Sequence, residues 1–260
     1  MSLKIIGDMT DVDKYSFSKL SSIHQCPYSY DLYYNKKIFG ESNGFADCGS
    51  LVHSILERYL KGELEQFELS QVFLNEFDNE VPEGVQLTFS NGFKKDLTDK
   101  YKEQCVDFLD SFEGFDDLEI LDVEKNFDLL IEIDNKKIWL NGIIDVIARD
   151  KEDNYYIIDH KSKSNWKNKK ELEKYTQQLY AYSIYILYTY HKFPKELWFN
   201  MFRLNEITKI NFNEKSFSNT LEWIKDTVTQ IETEQFFEKK PDDFYCKNLC
   251  NHRYICEKGE

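Results

Sequence analysis

Positive charge is scarce in this chain, where 33 Lys and Arg stand against 47 Asp and Glu for a net charge of −14. That deficit excludes a protein that coats nucleic acid indiscriminately, because nonspecific affinity comes from neutralising phosphates with cations. Any contact with DNA must therefore be local. The sequence also has no uninterrupted run of about eighteen apolar residues, so no membrane span is expected. Its first residues, MSLKIIGDMTDVDK, lack the basic-then-apolar order of a secretory signal, and the expected location is cytoplasmic. What is present is a hydrophobic content of 41% and an aromatic content of 16% over 260 residues, enough for a packed core. Six cysteines accompany it, and in an intracellular chain of this size they favour metal or cluster ligation over a disulfide framework.

Gly142 to Lys161 is the most informative stretch. GIIDVIARD and NYYIIDHK flank a polar turn, the pattern of a β-hairpin. Asp159 and Lys161 are two apart on one strand and so share a face. If Asp150 pairs with Asn154, Asp145 falls opposite Asp159 and joins them, whereas a slip of one residue would separate the carboxylates. An isolated Asp-x-Lys is ordinarily a solvated salt bridge. Here Ile143, Ile144, Val146, Ile147, Ile157 and Ile158 make both strands apolar on both faces, as in the covered sheet of an α/β protein. Charges in that setting are costly unless they pair or coordinate a metal. Lys163, Lys167 and further lysines follow directly, supplying a local basic track.

Along the rest of the chain, SFSKLSSIHQCPYSYDLYY reads as a helix capped by Ser16 or Ser18, a Cys-Pro interruption and a second aromatic helix. A loop through Gly40, Ser42, Asn43 and Gly44 precedes an amphipathic helix capped by Ser50, which places His53 in its first turn. The positive end of the helix dipole would keep that imidazole neutral and free for a metal, although a lone helical His is more often a packing or surface residue. Residues 64–80 and 93–113 read as a helical insertion. Strands are expected from Glu119 through a turn at Asp134-Asn135 into the central hairpin, as part of a mainly antiparallel sheet. A buried helix carries Gln178 and Tyr182 on one face, and two strands (195–213) and a helix (214–237) follow. In the tail, Cys246, Cys250 and Cys256 have the close spacing of metal or cluster ligands, with Cys26 as the candidate fourth. Zinc on all four thiolates, or on three and His252, is equally compatible with this spacing. Cys48 and Cys105 carry no such pattern and read as buried cysteines.

Taken together and in this order, SFSKLSSIHQCPYSYDLYY, GSLVHSILE, GIIDVI, IIDHK and QLYAY resemble the motifs of the PD-(D/E)XK nuclease superfamily, specifically its RecB-like branch with an AddB-type or CRISPR-associated (Cas-four) iron-sulfur cluster. The resemblance implies an α/β restriction-endonuclease-like core, a central mixed sheet flanked by helices, in one domain. Its expected parts are an N-terminal segment (1–48), a helical region (49–118), a nuclease core (119–237) and a cluster-binding tail (238–260). It further implies that His53, Asp145, Asp159 and the main-chain carbonyl of His160 hold Mg²⁺ or Mn²⁺, and that Lys161 is the catalytic lysine. Gln178 and Tyr182 would shape the site and guide DNA alongside Lys163 and Lys167. Cys26, Cys246, Cys250 and Cys256 would ligate a 4Fe–4S cluster. The implied activity is metal-dependent DNA hydrolysis, expected to be exonucleolytic on single strands or frayed ends, with endonuclease activity also open. A DNA-binding member with an idle site, and an iron-sulfur electron-transfer protein, are the alternatives.

Overall fold

A computed structural model describes residues 2–7, 13–115 and 117–258. Two short strands, β1 (Leu3–Gly7) and β2 (Lys14–Ser16), lead into α1 (Phe17–Gln25). Ser16 is the N-cap of α1, accepting from the Lys19 amide at 3.1 Å. Pro27 opens α2 (Pro27–Tyr30), which runs on into a π-turn at Asp31–Asn35. The helical region comprises α3 (Gly44–Leu60), α4 (Leu69–Glu80) and α5 (Thr98–Ser111).

Asn43 caps α3, not Ser50, its side chain accepting from the Ala46 amide. The apolar spacing that continues through Cys48, Leu51, Val52, Ile55 and Leu56 carries the helix across Gly49, whose cost of about 1 kcal/mol inside a helix is easily offset by that burial. Two expectations fall with this. His53 lies mid-helix rather than in the first turn, and the expected 48/49 boundary cuts through α3. Gly44 is required at the helix start because a Cβ there would sit 1.8 Å from the carbonyl oxygen of Gly84. The expected helix from 93 is also corrected: β3 (Gln86–Thr88) and β4 (Lys94–Asp96) form a separate two-stranded ribbon, and α5 begins only at Thr98.

The main sheet is completed by β5 (Glu119–Ile133), β6 (Lys136–Arg149), β7 (Tyr155–Lys161), β8 (Glu196–Met201) and β9 (Glu206–Asn211). Its order is β1-β5-β6-β7-β8-β9, with β2 added to β6. The β2–β6 and β7–β8 pairs are parallel and the others antiparallel. Asp134 and Asn135, both at positive φ, make the tight turn between the two longest strands. Two helices, α6 (Lys169–Tyr190) and α7 (Glu214–Thr233), are capped by Asn168 and Asn213. Short helices α8 (Asp243–Asn248) and α9 (Arg253–Lys258) form the tail.

The sheet separates two cores. Ile144, Ile147, Ile157, Leu197 and Phe199 pack with α6 and α7, whereas Val146, Ala148, Ile158, Trp198 and Phe202 pack with α3, α4 and α5. Both faces of β7 are therefore covered, as its unbroken apolar sequence requires. Among the described residues, no helix is long and apolar enough to cross a membrane.

Candidate metal centre

The β6–β7 register is the one that brings the carboxylates together. The Asp150 amide donates to the Asn154 carbonyl at 3.0 Å, and pairing continues from Arg149–Tyr155 to Val146–Ile158. Beyond Val146 the two strands part, because β6 stays with β5 while β7 stays with β8. The His160 amide, released from the ladder, donates to Asp145 Oδ2 at 2.7 Å. This leaves the His160 carbonyl facing α3, where His53 Nε2 meets it at 2.9 Å. The His160 ring packs edge-to-face against the His53 ring at 5.3 Å, stacks on Phe115 and is bonded through Nδ1 to Asn200.

Asp159, 2% exposed, holds the Lys161 ammonium at 2.6 Å. Lys161 also donates to Gln178 Oε1 at 3.1 Å, and the Gln178 amide donates to the Tyr182 hydroxyl at 2.8 Å. Gln178 and Tyr182 thus fix the lysine from α6. Tyr182 also presses an aromatic edge against Gly142, where a Cβ would come within 2.8 Å of Phe127 and 3.0 Å of Tyr182. Burial and the neighbouring Asp145 raise the Asp159 carboxyl to about 6, against the lowering pull of Lys161. Burial would lower Lys161, but Asp159 and Asp145 outweigh it and raise the ammonium further.

Glu124 joins the site without having been expected there. It sits on β5 at φ 52°, an uncommon conformation for a non-glycine residue. Burial, Asp145 and Glu57 push its carboxyl up to about 7. One ligand atom each from His53, Glu124 and Asp145 lies within 4.8 Å of the others. They line a cleft of about 440 Å³ with Ser50, Glu57 and Ser162. The signal was in the sequence: counting back from the Asp134-Asn135 turn, with Ile133 opposite Lys136, puts Glu124 across from Asp145.

This donor set fits a divalent cation. A carbonyl can only accept, so His53 Nε2 carries the proton toward His160. Burial lowers the imidazole pKa and holds the ring neutral. Its Nδ1 then presents a lone pair to the Asp145 carboxylate 3.5 Å away, two acceptors that a shared cation would reconcile.

The basic residues diverge. Lys163 is engaged by Glu171 at 3.0 Å and lies over Tyr175, whereas the Lys167 amide donates to the same Glu171 carboxylate at 2.7 Å and its ammonium approaches the Phe244 ring at 5.8 Å. Cys26, Cys246, Cys250 and Cys256 line a single cavity of about 100 Å³ between α2 and the tail. His252 borders it with both ring nitrogens committed, to Ser29 Oγ and the Ile38 carbonyl, each at 2.8 Å. Cys48 and Cys105 are buried elsewhere, their sulfurs 3.9 Å apart.

A model of the family described as the PD-(D/E)XK nuclease superfamily matches residues 14–257. No curated protein matches the chain. The solved structure described as "Crystal structure of SSO0001" is similar at 13% identity, covering 97% of this chain and 90% of that one, with a TM-score of 0.41 that is too low to transfer anything.

Proposed function

The chain belongs to the PD-(D/E)XK nuclease superfamily, and from that premise we propose that it is a Mg²⁺- or Mn²⁺-dependent deoxyribonuclease, acting as an exonuclease on single strands or frayed ends. The observation that carries the metal assignment is the neutral His53 Nδ1 turned toward Asp145, with Glu124 completing the group. Of the expected ligands, His53 Nδ1 and Asp145 would hold the ion together with Glu124, whereas the His160 carbonyl is taken by the His53 Nε2–H on the opposite side of the ring and Asp159 by the Lys161 ammonium. A divalent ion there supplies Lewis acidity, lowering the pKa of a water and polarising the phosphoryl oxygen. Lys161 brings a fixed positive charge for the phosphorane-like transition state, and Gln178 and Tyr182 keep it from swinging into solvent. Asp145 and Asp159 orient the site through the His160 amide and the Lys161 ammonium.

The proposal includes a 4Fe–4S cluster on Cys26, Cys246, Cys250 and Cys256. Its support is the single cavity that the four cysteines line, with His252 at its border bonded to Ser29 and to the Ile38 carbonyl. Four thiolates on zinc would sit roughly 3.8 Å apart with bonds near 2.3 Å.

Release of acid-soluble nucleotides from end-labelled and circular DNA, with and without Mn²⁺, tests the reading. Cleavage of the linear strand alone supports an exonuclease, and cleavage of the circle refutes it. Asp145→Ala and Asp159→Ala should each abolish release; wild-type turnover in Asp159→Ala would refute the site, and no turnover in the wild type would favour an idle DNA binder.

A further inference from the structure

The β3–β4 ribbon has no place in the nuclease core, yet it presents two aromatic rings to solvent. Antiparallel pairing of Leu87 with Lys95 and Thr88 with Lys94 continues through the Phe89 amide, which donates to the Phe93 carbonyl at 2.9 Å. Phe89 and Phe93 therefore stand side by side on one face with Lys95. Their ring centroids are 5.9 Å apart, and they are 43% and 62% exposed. Neither Lys94 nor Lys95 has a carboxylate partner among the described residues, in a chain whose net charge is −14. Gly92, at φ 80°, turns the loop without adding a side chain to this face.

The ribbon is also held firmly where it stands. Asn248 on α8 bonds both the amide (2.7 Å) and the carbonyl (3.1 Å) of Thr88, and Lys247 donates to the Ser90 carbonyl at 3.1 Å. Ser90 further donates to Asp243. On the same small helix, Phe244 is exposed and faces the Lys167 ammonium. Lys167 is six residues beyond Lys161, which places it within about 20 Å of the proposed catalytic lysine even if the chain were fully extended. Lys167, close in the chain to Lys161, thus meets α8 at Phe244, and α8 in turn holds the ribbon that carries Phe89 and Phe93.

We propose that the Phe89–Phe93 face is a base-stacking platform for single-stranded nucleic acid entering or leaving the metal centre. It rests on the nuclease reading for its biological sense, while its chemistry is independent of cleavage. Two exposed rings with Lys95 beside them are what unpaired bases and their phosphates require, because every base has a π-face and the contact tolerates any sequence. A duplex, with its bases already stacked, has no face to offer these rings.

The test measures binding and chemistry separately. Fluorescence anisotropy of a labelled oligothymidylate in EDTA should show at least about tenfold weaker binding to the Phe89→Ala/Phe93→Ala double variant, since each stacked base contributes about 1–3 kcal/mol. Mn²⁺-dependent hydrolysis of p-nitrophenyl thymidylate, too short to reach the ribbon, should be unchanged. Phe93→Trp should retain affinity and lose indole fluorescence as the oligonucleotide stacks on it. Equal affinity of wild type and double variant, or an unquenched Trp at saturation, overturns the platform. So does a concentration-dependent dimer seen by sedimentation only in the wild type with oligonucleotide affinity unaltered, which would make the face a contact between copies. Failure of the wild type to hydrolyse either substrate would instead remove the nuclease reading and leave the anisotropy comparison valid.

Discussion

Glu124→Gln isolates the electrostatics of the centre, because it removes a charge and keeps the shape. Raising a carboxyl from 4.5 to about 7 would correspond to roughly 3 kcal/mol of cost in the ionised form. Glu124 is only half-buried, so solvent screening reduces that to about 1–2 kcal/mol. The sign follows from linkage. An acid whose pKa is raised on folding costs nothing below its unfolded pKa, near 4.5, and its full penalty above its folded pKa, near 7. Metal-free Glu124→Gln should therefore match the wild type near pH 4.5 and exceed it near pH 8, by about 2–4 °C in melting temperature per kcal/mol. Excess Mn²⁺ should reverse the order, because the wild type gains more from a cation that its extra carboxylate attracts. Thermal melts at both pH values with and without Mn²⁺, and calorimetric titration of Mn²⁺, measure each arm. Equal stability at both pH values together with unchanged Mn²⁺ affinity would refute the placement of Glu124 in the centre.

Lys161→Met should lower single-turnover cleavage by several powers of ten while changing DNA affinity little, since the ammonium acts on charge that grows in the transition state; loss of affinity with an intact rate would reduce Lys161 to a phosphate contact. Protein purified without oxygen should be brown, with broad absorbance near about 400 nm for thiolate-bound iron. Cys26→Ala, Cys246→Ala, Cys250→Ala and Cys256→Ala should each lose the colour, and Cys48→Ala and Cys105→Ala should keep it; colourless protein with stoichiometric zinc would replace the cluster by zinc. Gly142→Ala should destabilise the fold by about 1–3 kcal/mol through overpacking against Phe127 and Tyr182, read as a lower midpoint in urea.

The two-strand core of the site was legible because composition and geometry agree there. Unbroken apolar strands, a polar turn and a period of two admit the register in which Asp150 pairs with Asn154, and the observed pairing follows it as far as Val146–Ile158, one residue short of Asp145 and Asp159. The start of α3 was misread because Gly49 looks like a breaker, and only the capping geometry of Asn43 reveals that the helix runs through it. Glu124 was hidden for a different reason. The register counted from the Asp134-Asn135 turn puts it across from Asp145, but it stands in an acidic stretch on a strand that bends there through a left-handed residue, so side-chain alternation alone does not show it turning inward. The β3–β4 ribbon escaped because Gln-Leu-Thr and Lys-Lys-Asp are too short to show an alternation, and its contacts with α8 come from about 160 residues away.

The ties of the first forty-two residues carry a consequence for how the molecule is made. β1 pairs with residues 130–133, β2 with 139–141, Gly40 lies hard against the Asn251 carbonyl, and the Arg253 guanidinium clasps the carbonyls of Glu41 and Ser42. Every one of those partners is synthesised more than a hundred residues later. The segment leaves the ribosome with its hydrogen-bonding groups unmatched and its aromatic helices uncovered, and it must wait in that condition while most of the chain is still being translated. Holding chaperones would have their longest opportunity here, and synonymous changes that slow translation between residues 40 and 250 would lengthen the wait without altering a single contact in the finished protein.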